Sequence, residues 1–372
     1  MTRRTFLHVG MPKTGTTYLQ DICWSHRDAL RAEGLLLPGT GHREHLWAAL
    51  DVQQSTERLA RRNPRAPGTF ERLRGEIAAR SEPDALLTHE FFCLASRKQA
   101  ARVVEALAPD EVHVVVTARD TAGMLRAGWQ ERVKNGSTAT LRDTADASRT
   151  GSEFSWGTWD LAGIVRRWAP AVPPERFHVL PVPSRDEPAD QHWRNFASVL
   201  GVEGTYDASQ EAANSSLGLV EVELLRRVNA HLADFLGEQD RGRWIRGYLA
   251  EGHLRDDGGA PFVLDDDLLD DCRERSERAV AVIRRKGLHV VGDLDRLLVP
   301  PSAGQGRGVD TVSDTELLGA ATELVARMLA DVRRLTDGAE SEGGDDGGDG
   351  GEASGRRGAL RGVVSRLRGS RS

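Results

Sequence analysis

Thr5-Phe-Leu-His-Val-Gly10-Met-Pro-Lys-Thr-Gly15-Thr-Thr17 reads as a short apolar strand, a glycine-bracketed loop and the opening of a helix. Thr5 to Val9 is β-like and stops at Gly10, and Thr16 to Leu30 carries a helical pattern. In that order the helix start presents unpaired backbone N–H groups and the positive end of its dipole above the strand, an arrangement that holds phosphate or sulfate. The glycine spacing is that of G-x-x-x-x-G-K-[ST], but Thr16 stands where that pattern has lysine, and Lys13 lies inside the loop. A nucleoside-triphosphate loop is thus imperfect here. The non-functional alternative is an ordinary strand-to-helix turn that uses Gly and Thr as caps.

Outward from this stretch the same unit recurs. Ala85 to Thr88 is a second β-like run; it ends at His89-Glu90 and leads to a helix through about Ala108, where Pro109 stops it. Val112 to Thr117 is a third, ending at Ala118-Arg119-Asp120 and feeding a helix through Lys134, and Phe177 to Val182 is a fourth. Near-continuous apolar strands alternating with helices predict a three-layer α/β domain with a central parallel sheet and helical insertions. Polar residues gather at the strands' carboxyl ends, where open α/β sheets bind ligands. Helical stretches near 220–237 and 266–286 pack around the sheet.

The domain is expected over residues 1–300. Residues 301–312 read as a linker, and 313–336 as an amphipathic helix with a Ser313/Glu316 capping box and Leu317, Ala321, Leu324, Met328 and Val332 at helical intervals. Residues 337–372 read as a disordered tail, acidic first and then Arg-rich, whose basic end is solvated or touches an acidic surface.

Composition limits the function classes. The 372 residues are 39% hydrophobic and 28% charged, so most of the chain buries a core. A net charge of -6 argues against a nucleic-acid binder, which needs a basic surface. No apolar run is long enough to span a membrane. The run after Arg3 and Arg4 is short and lacks a cleavage site, so a cytoplasmic location is expected. Cys23, Cys93 and Cys272 are scattered and odd in number, which predicts reduced, structural thiols. Only Lys13, Lys98, Lys134 and Lys286 are lysine among 50 basic residues, and two of these fall in the segments described here.

Residues 11–19, Met-Pro-Lys-Thr-Gly-Thr-Thr-Tyr-Leu, resemble the 5′-phosphosulfate-binding loop of sulfotransferases that use 3′-phosphoadenosine 5′-phosphosulfate, PAPS. The resemblance implies a P-loop-like fold and assigns donor binding to Pro12, Lys13, Thr14, Gly15, Thr16 and Thr17, with Lys13 also stabilising charge during transfer. Val116-Thr117-Ala118-Arg119-Asp120 resembles the family's 3′-phosphate motif, with Arg119 as its arginine. The family has a serine eight residues on; this chain has Ala127, leaving Arg126, Lys134 or Ser137 as replacement donors. The implied activity moves a sulfuryl group, without a metal, to a hydroxyl or amine of a small metabolite or glycan. Two alternatives stay open: a non-catalytic nucleotide-binding or interaction protein, and a Mg²⁺-dependent kinase using a nucleoside triphosphate.

Transfer to a hydroxyl requires a base beside the loop. Glu90 and His89, at the end of the second strand, are the candidates; carbohydrate-modifying sulfotransferases often use glutamate and small-molecule enzymes histidine. His42 and His45, with Glu44 and Trp47, and Trp156, Trp159 and Asp160 are placed around the acceptor site. The alternative for the tryptophans is the core, and the His-x-x-His pair lacks a third metal ligand. Asn214 to Gly218 reads as a helix cap or a loop over the donor.

Overall fold

The computed structural model describes residues 3–147, 155–184, 186–207, 216–232, 234, 235, 237–254 and 262–341. Six strands build its centre: β1 (Arg4–His8), β2 (Leu35–Leu36), β3 (Asp84–Thr88), β4 (Glu111–Ala118), β5 (Phe177–Pro181) and β6 (His289–Val290). They form one all-parallel sheet in the order β2-β3-β1-β4-β5-β6. The chain leaves β1 toward one edge, returns through β3 and crosses to β4, so the order reverses around β1. His8 lies opposite both Thr88 and Val115, which brings the carboxyl ends of β1, β3 and β4 side by side. A topological switch of this kind opens a crevice above the sheet.

Alternate strand residues serve opposite faces, as the pleat requires. Leu7, Leu87, Val114 and Val116 belong to one buried cluster, and Phe6, Leu86, Val115 and Leu180 to the other. Helices cover both faces, and the three-layer α/β expectation agrees with the structure. The edge strands β2 and β6, two residues each, escape sequence detection because two residues carry no periodicity.

The helices follow local chemistry. The first runs Thr16–Ser25 and breaks at His26, whose imidazole Nε2 donates to the Asp207 carbonyl, before Arg27–Ala32 resumes. The helix expected directly after His89-Glu90 is split. A 3-10 turn, Glu90–Leu94, comes first, and the Arg97–Ala106 helix then starts at a Ser96/Gln99 capping box. The Thr121–Lys134 helix is N-capped by Asp120, which accepts from the Gly123 N–H at 2.7 Å. Its Gly128 lies so close to Trp159 that an added Cβ would sit 2.3 Å from the indole. Trp129, Trp156 and Trp159 are all buried, so they fill the core and do not form an acceptor platform.

The stretch 301–312 carries 3-10 turns at Pro301–Gly304 and Val309–Thr311, and the Val263 N–H donates to the Arg307 carbonyl at 2.9 Å. The helix that follows runs Asp314–Ser341, packing Leu317 and Leu324 inward beside the Leu219–Asn229 helix. The acidic-then-basic segment beyond it, and Asn214 of the 214–218 segment, lie outside the described residues. Cys23, Cys93 and Cys272 are buried free thiols, each pushed up to about 12 by burial. No helix among the described residues is long and apolar enough to cross a membrane.

Candidate anion-binding site at the strand ends

A polar tether under the glycine loop fixes the three strand ends. His8, fully buried in β1, reaches Thr88 Oγ1 of β3 through Nδ1 at 2.8 Å and Thr117 Oγ1 of β4 through Nε2 at 3.2 Å. Burial holds the imidazole neutral, lowering it to about 3, with the neighbouring His192 and His89 acting in the same direction. Thr117 in turn meets Thr14 Oγ1 at 2.7 Å, and the Thr14 hydroxyl donates to the Met11 carbonyl at 2.6 Å. Thr14 is therefore committed to holding the loop's shape, since its hydroxyl is buried between these two oxygens.

The loop backbone is unusual at three points. Gly10 and Gly15 have φ of 42° and 77°, and Lys13, at φ 64°, is alone among the described non-glycine residues in having a positive φ. An L side chain in that region costs on the order of 1–2 kcal/mol, so a lysine placed there marks a functional candidate. A Cβ on Gly10 would meet Glu90 Cβ at 3.1 Å, and one on Gly15 would meet His192 Nε2 at 2.8 Å. His192 donates from Nε2 to the Thr14 carbonyl at 2.9 Å and supports the loop from below. Gly15 starts the Thr16–Ser25 helix with no side chain capping it, which leaves the first-turn N–H groups for an external acceptor.

Lys13 reaches across to the helix after β4, where its ammonium donates to Glu131 Oε2 at 3.1 Å. Glu131, only 6% exposed, also takes Arg246 and the Asn135 amide on its other oxygen. Burial pushes its carboxyl up, but the charges of Lys13 and Arg246 and their hydrogen bonds prevail and hold it down at about 2. Lys134, buried one turn along, is pushed down to about 8 by burial and then by the Lys13 charge. Lys13, Lys134 and Arg246 thus surround one ionised carboxylate beside the loop. Arg246 comes from a π-helix, Arg241–Glu251, and pairs also with Glu251 at 3.1 Å.

Glu90 stands against Gly10, with Oε2 accepting from the Gln20 amide at 3.0 Å. His89 is less available: its Nδ1 accepts the Phe91 N–H at 3.1 Å, so the histidine, not the glutamate, caps the turn. Arg119, partly exposed just before the Thr121–Lys134 helix, is held among the described residues by a 3.9 Å ion pair with Asp120. Arg126 is no substitute for the missing serine, because it points to the Phe262 carbonyl at 3.1 Å. Ser137 accepts from the Ala139 N–H and caps a local turn.

His45 is buried and bridges the Pro38 carbonyl and the Thr88 N–H, which pins the end of β3 and removes it from the acceptor site. No group of three metal-ligating side chains occurs among the described residues. Sequence reasoning placed Lys13, Thr14 and Glu90 at one crevice. It missed His8, His192, Glu131 and Arg246 as participants. The Glu131–Lys134 spacing of one helical turn was the only available signal.

The fold and site define an α/β protein with a lysine-bearing glycine loop, leading into a helix without a side-chain cap, at a topological switch. No protein-family model matches the chain, and no curated protein matches it. Among solved structures it is similar to a sulfotransferase from Alicyclobacillus acidocaldarius, at 15% identity and a TM-score of 0.47, over 76% of this chain and 97% of that one. That likeness is weak in both measures and assigns no residue a role.

Proposed function

We propose that this protein is a sulfotransferase that takes the sulfuryl group of PAPS and passes it to a hydroxyl or amine of a small metabolite or glycan. The observation that carries the reading is Lys13: a lysine held at positive φ between Gly10 and Gly15, its ammonium paired with Glu131, above an uncapped helix start. The loop fits the 5′-phosphosulfate end, because Gly15 and the first helical turn supply donors and Gly10 brings Glu90 close. For the 3′-phosphate end the candidate cation is Arg119, paired with Asp120 at 3.9 Å, whereas Lys134, at the other end of the Thr121–Lys134 helix and beside Lys13 and Glu131, adds positive charge at the 5′ end.

When bound, PAPS supplies an electrophilic sulfuryl group and a phosphate leaving group. Lys13 and the first-turn N–H groups offset the negative charge that grows on the departing oxygen. Glu131 is a positioning residue: it fixes the ammonium of Lys13 and ties it to Arg246, with Lys134 beside the pair. Glu90 takes the acceptor's proton, with Gln20 orienting its carboxylate. His89 is the weaker base because its Nδ1 lone pair is used by Phe91.

The test is transfer of radiolabelled sulfuryl from PAPS to a panel of glycans and small hydroxyl and amine compounds, in the presence of a chelator. Label should appear in an acceptor with the wild-type chain and fall at least about a hundredfold with Lys13→Ala. Phosphoryl transfer from ATP, dependent on Mg²⁺, with no sulfuryl transfer, would overturn the proposal.

A further inference from the structure

Arg246 reaches the site from an irregular element of the fold, the Arg241–Glu251 π-helix. The i→i+5 register of that element is written in the sequence, where Gly242, Gly247 and Gly252 recur every five residues. A Cβ on Gly247 would lie 3.3 Å from the Gly242 carbonyl oxygen, and one on Gly252 would lie 3.2 Å from that of Gly247, so larger residues would crowd the turns. Arg246 and Glu251, also five apart, pair at 3.1 Å. Turns of this kind are rare and occur frequently at functional sites.

Ile245 and Leu249 anchor the element in the core. Its C-terminal end is fastened to the Asp314–Ser341 helix, which lies beyond the domain end expected from the sequence. His253 Nε2 meets Asp331 Oδ2 at 2.8 Å, the Tyr248 hydroxyl bonds the same carboxylate, and the Tyr248 and His253 rings lie 4.6 Å apart edge to face. Arg327, one turn before Asp331, donates to the His253 carbonyl at 2.7 Å, and Arg334 also pairs with Asp331. Tyr248 is two residues from Arg246, so the fastening acts directly on the turn that carries the guanidinium.

Charge gives that guanidinium a purpose. Glu131 presents one oxygen to Lys13 and the other to Arg246. At pH 7 the three cations Lys13, Lys134 and Arg246 outnumber the two carboxylates Glu131 and Glu251, so the cluster keeps one positive charge for an incoming anion. Without Arg246 the count is two against two, and Glu131 neutralises Lys13 across 3.1 Å. We propose that Arg246 is a positioning residue for Lys13, engaging Glu131 so that the carboxylate does not cancel the loop lysine, and that Asp331 and His253 position Arg246 from the last helix. The inference rests on the reading of Lys13 as a donor-binding cation.

Calorimetry with 3′-phosphoadenosine 5′-phosphate on the full chain reads the first step. Arg246→Ala should weaken binding at least about tenfold, and adding Glu131→Gln should restore it to within about threefold of wild type. Asp331→Ala should also weaken binding, with no further loss when Arg246→Ala is already present. Asp331→Asn still accepts from His253 and Tyr248 and should bind like wild type. A loss in Arg246→Ala that Glu131→Gln does not reverse overturns the proposal, because Arg246 then meets the donor itself. Additive losses from Asp331→Ala and Arg246→Ala overturn the role of the last helix.

Urea unfolding reads the brace without any ligand. The stability gap between a chain and its Glu131→Gln counterpart narrows from pH 7 to pH 3 as Glu131 takes up its proton, and Arg246 supplies part of the effect that holds this carboxyl low. In Arg246→Ala and in Asp331→Ala the narrowing should shrink by at least about a third. An undiminished narrowing in Asp331→Ala overturns the brace. A wild-type chain that binds no bisphosphate overturns the donor reading instead, and the unfolding comparison then decides the brace by itself.

Discussion

Replacing Glu131 by Gln removes the carboxylate that joins Lys13 to Arg246, and the structure sets the size of the effect. The carboxyl is held at about 2 against an ordinary value of 4.5; burial opposes this, and the charges of Lys13 and Arg246 outweigh it. At about 1.4 kcal/mol per pH unit, the ionised form contributes roughly 3 kcal/mol to the folded state. Because the folded value is depressed, that contribution is complete above the unfolded value near 4.5 and disappears as pH falls toward 2. By pH 3 about 2 kcal/mol of it is gone. Urea unfolding of both proteins from pH 7 to pH 3 reads this directly. The wild type should be the more stable by several kcal/mol at pH 7, and the gap should narrow by about 2 kcal/mol at pH 3. Parallel stability curves would refute the pairing. The same variant should bind 3′-phosphoadenosine 5′-phosphate as tightly as wild type or more so, because a negative charge has left an anion site, while its turnover falls as Lys13 loses its position.

Other outcomes follow from the same geometry. Lys13→Ala should lower turnover more than donor affinity, and Lys13→Arg should restore it only in part, because a planar fork does not replace a compact ammonium; single-turnover rates against equilibrium binding separate these effects. Glu90→Gln should lower turnover about a hundredfold or more while leaving donor affinity unchanged, as read from single-turnover rates against equilibrium binding. Lys134, held at about 8, should lose its proton within the working range, so binding of the bisphosphate should weaken as pH rises through 8, and Lys134→Met should flatten that dependence in calorimetric titrations. The folded state gains stability from this residue over the same rise, since above pH 8 the unfolded chain holds the proton longer.

The centre of the sheet was legible because its strands sit in runs of apolar residues, the first closed by Gly10 and the second and third by the polar pairs His89-Glu90 and Arg119-Asp120. The loop was legible because Gly10, Lys13 and Gly15 fall between a strand and a helix. What local pattern cannot carry is long-range pairing. Glu131 meets Lys13 across 118 positions, and His192 meets the Thr14 carbonyl across 178. Both contacts arise only when the sheet brings the elements together. The tryptophans were ambiguous for the opposite reason. Trp156 and Trp159 look alike in a core and in a sugar platform, and it is their burial in the fold, with Gly128 closing on Trp159, that separates the two.

The donor itself provides the most direct test. Isothermal titration of the wild-type chain with 3′-phosphoadenosine 5′-phosphate, adenosine 5′-phosphate and ATP, each with chelator and with Mg²⁺, asks whether the crevice recognises a 3′-phosphate. Binding should be tightest for the bisphosphate, unaffected by Mg²⁺, and reduced by roughly 2 kcal/mol in Arg119→Ala for that nucleotide alone. Preference for ATP in the presence of Mg²⁺, or an equal loss for the bisphosphate and adenosine 5′-phosphate in Arg119→Ala, would contradict the account.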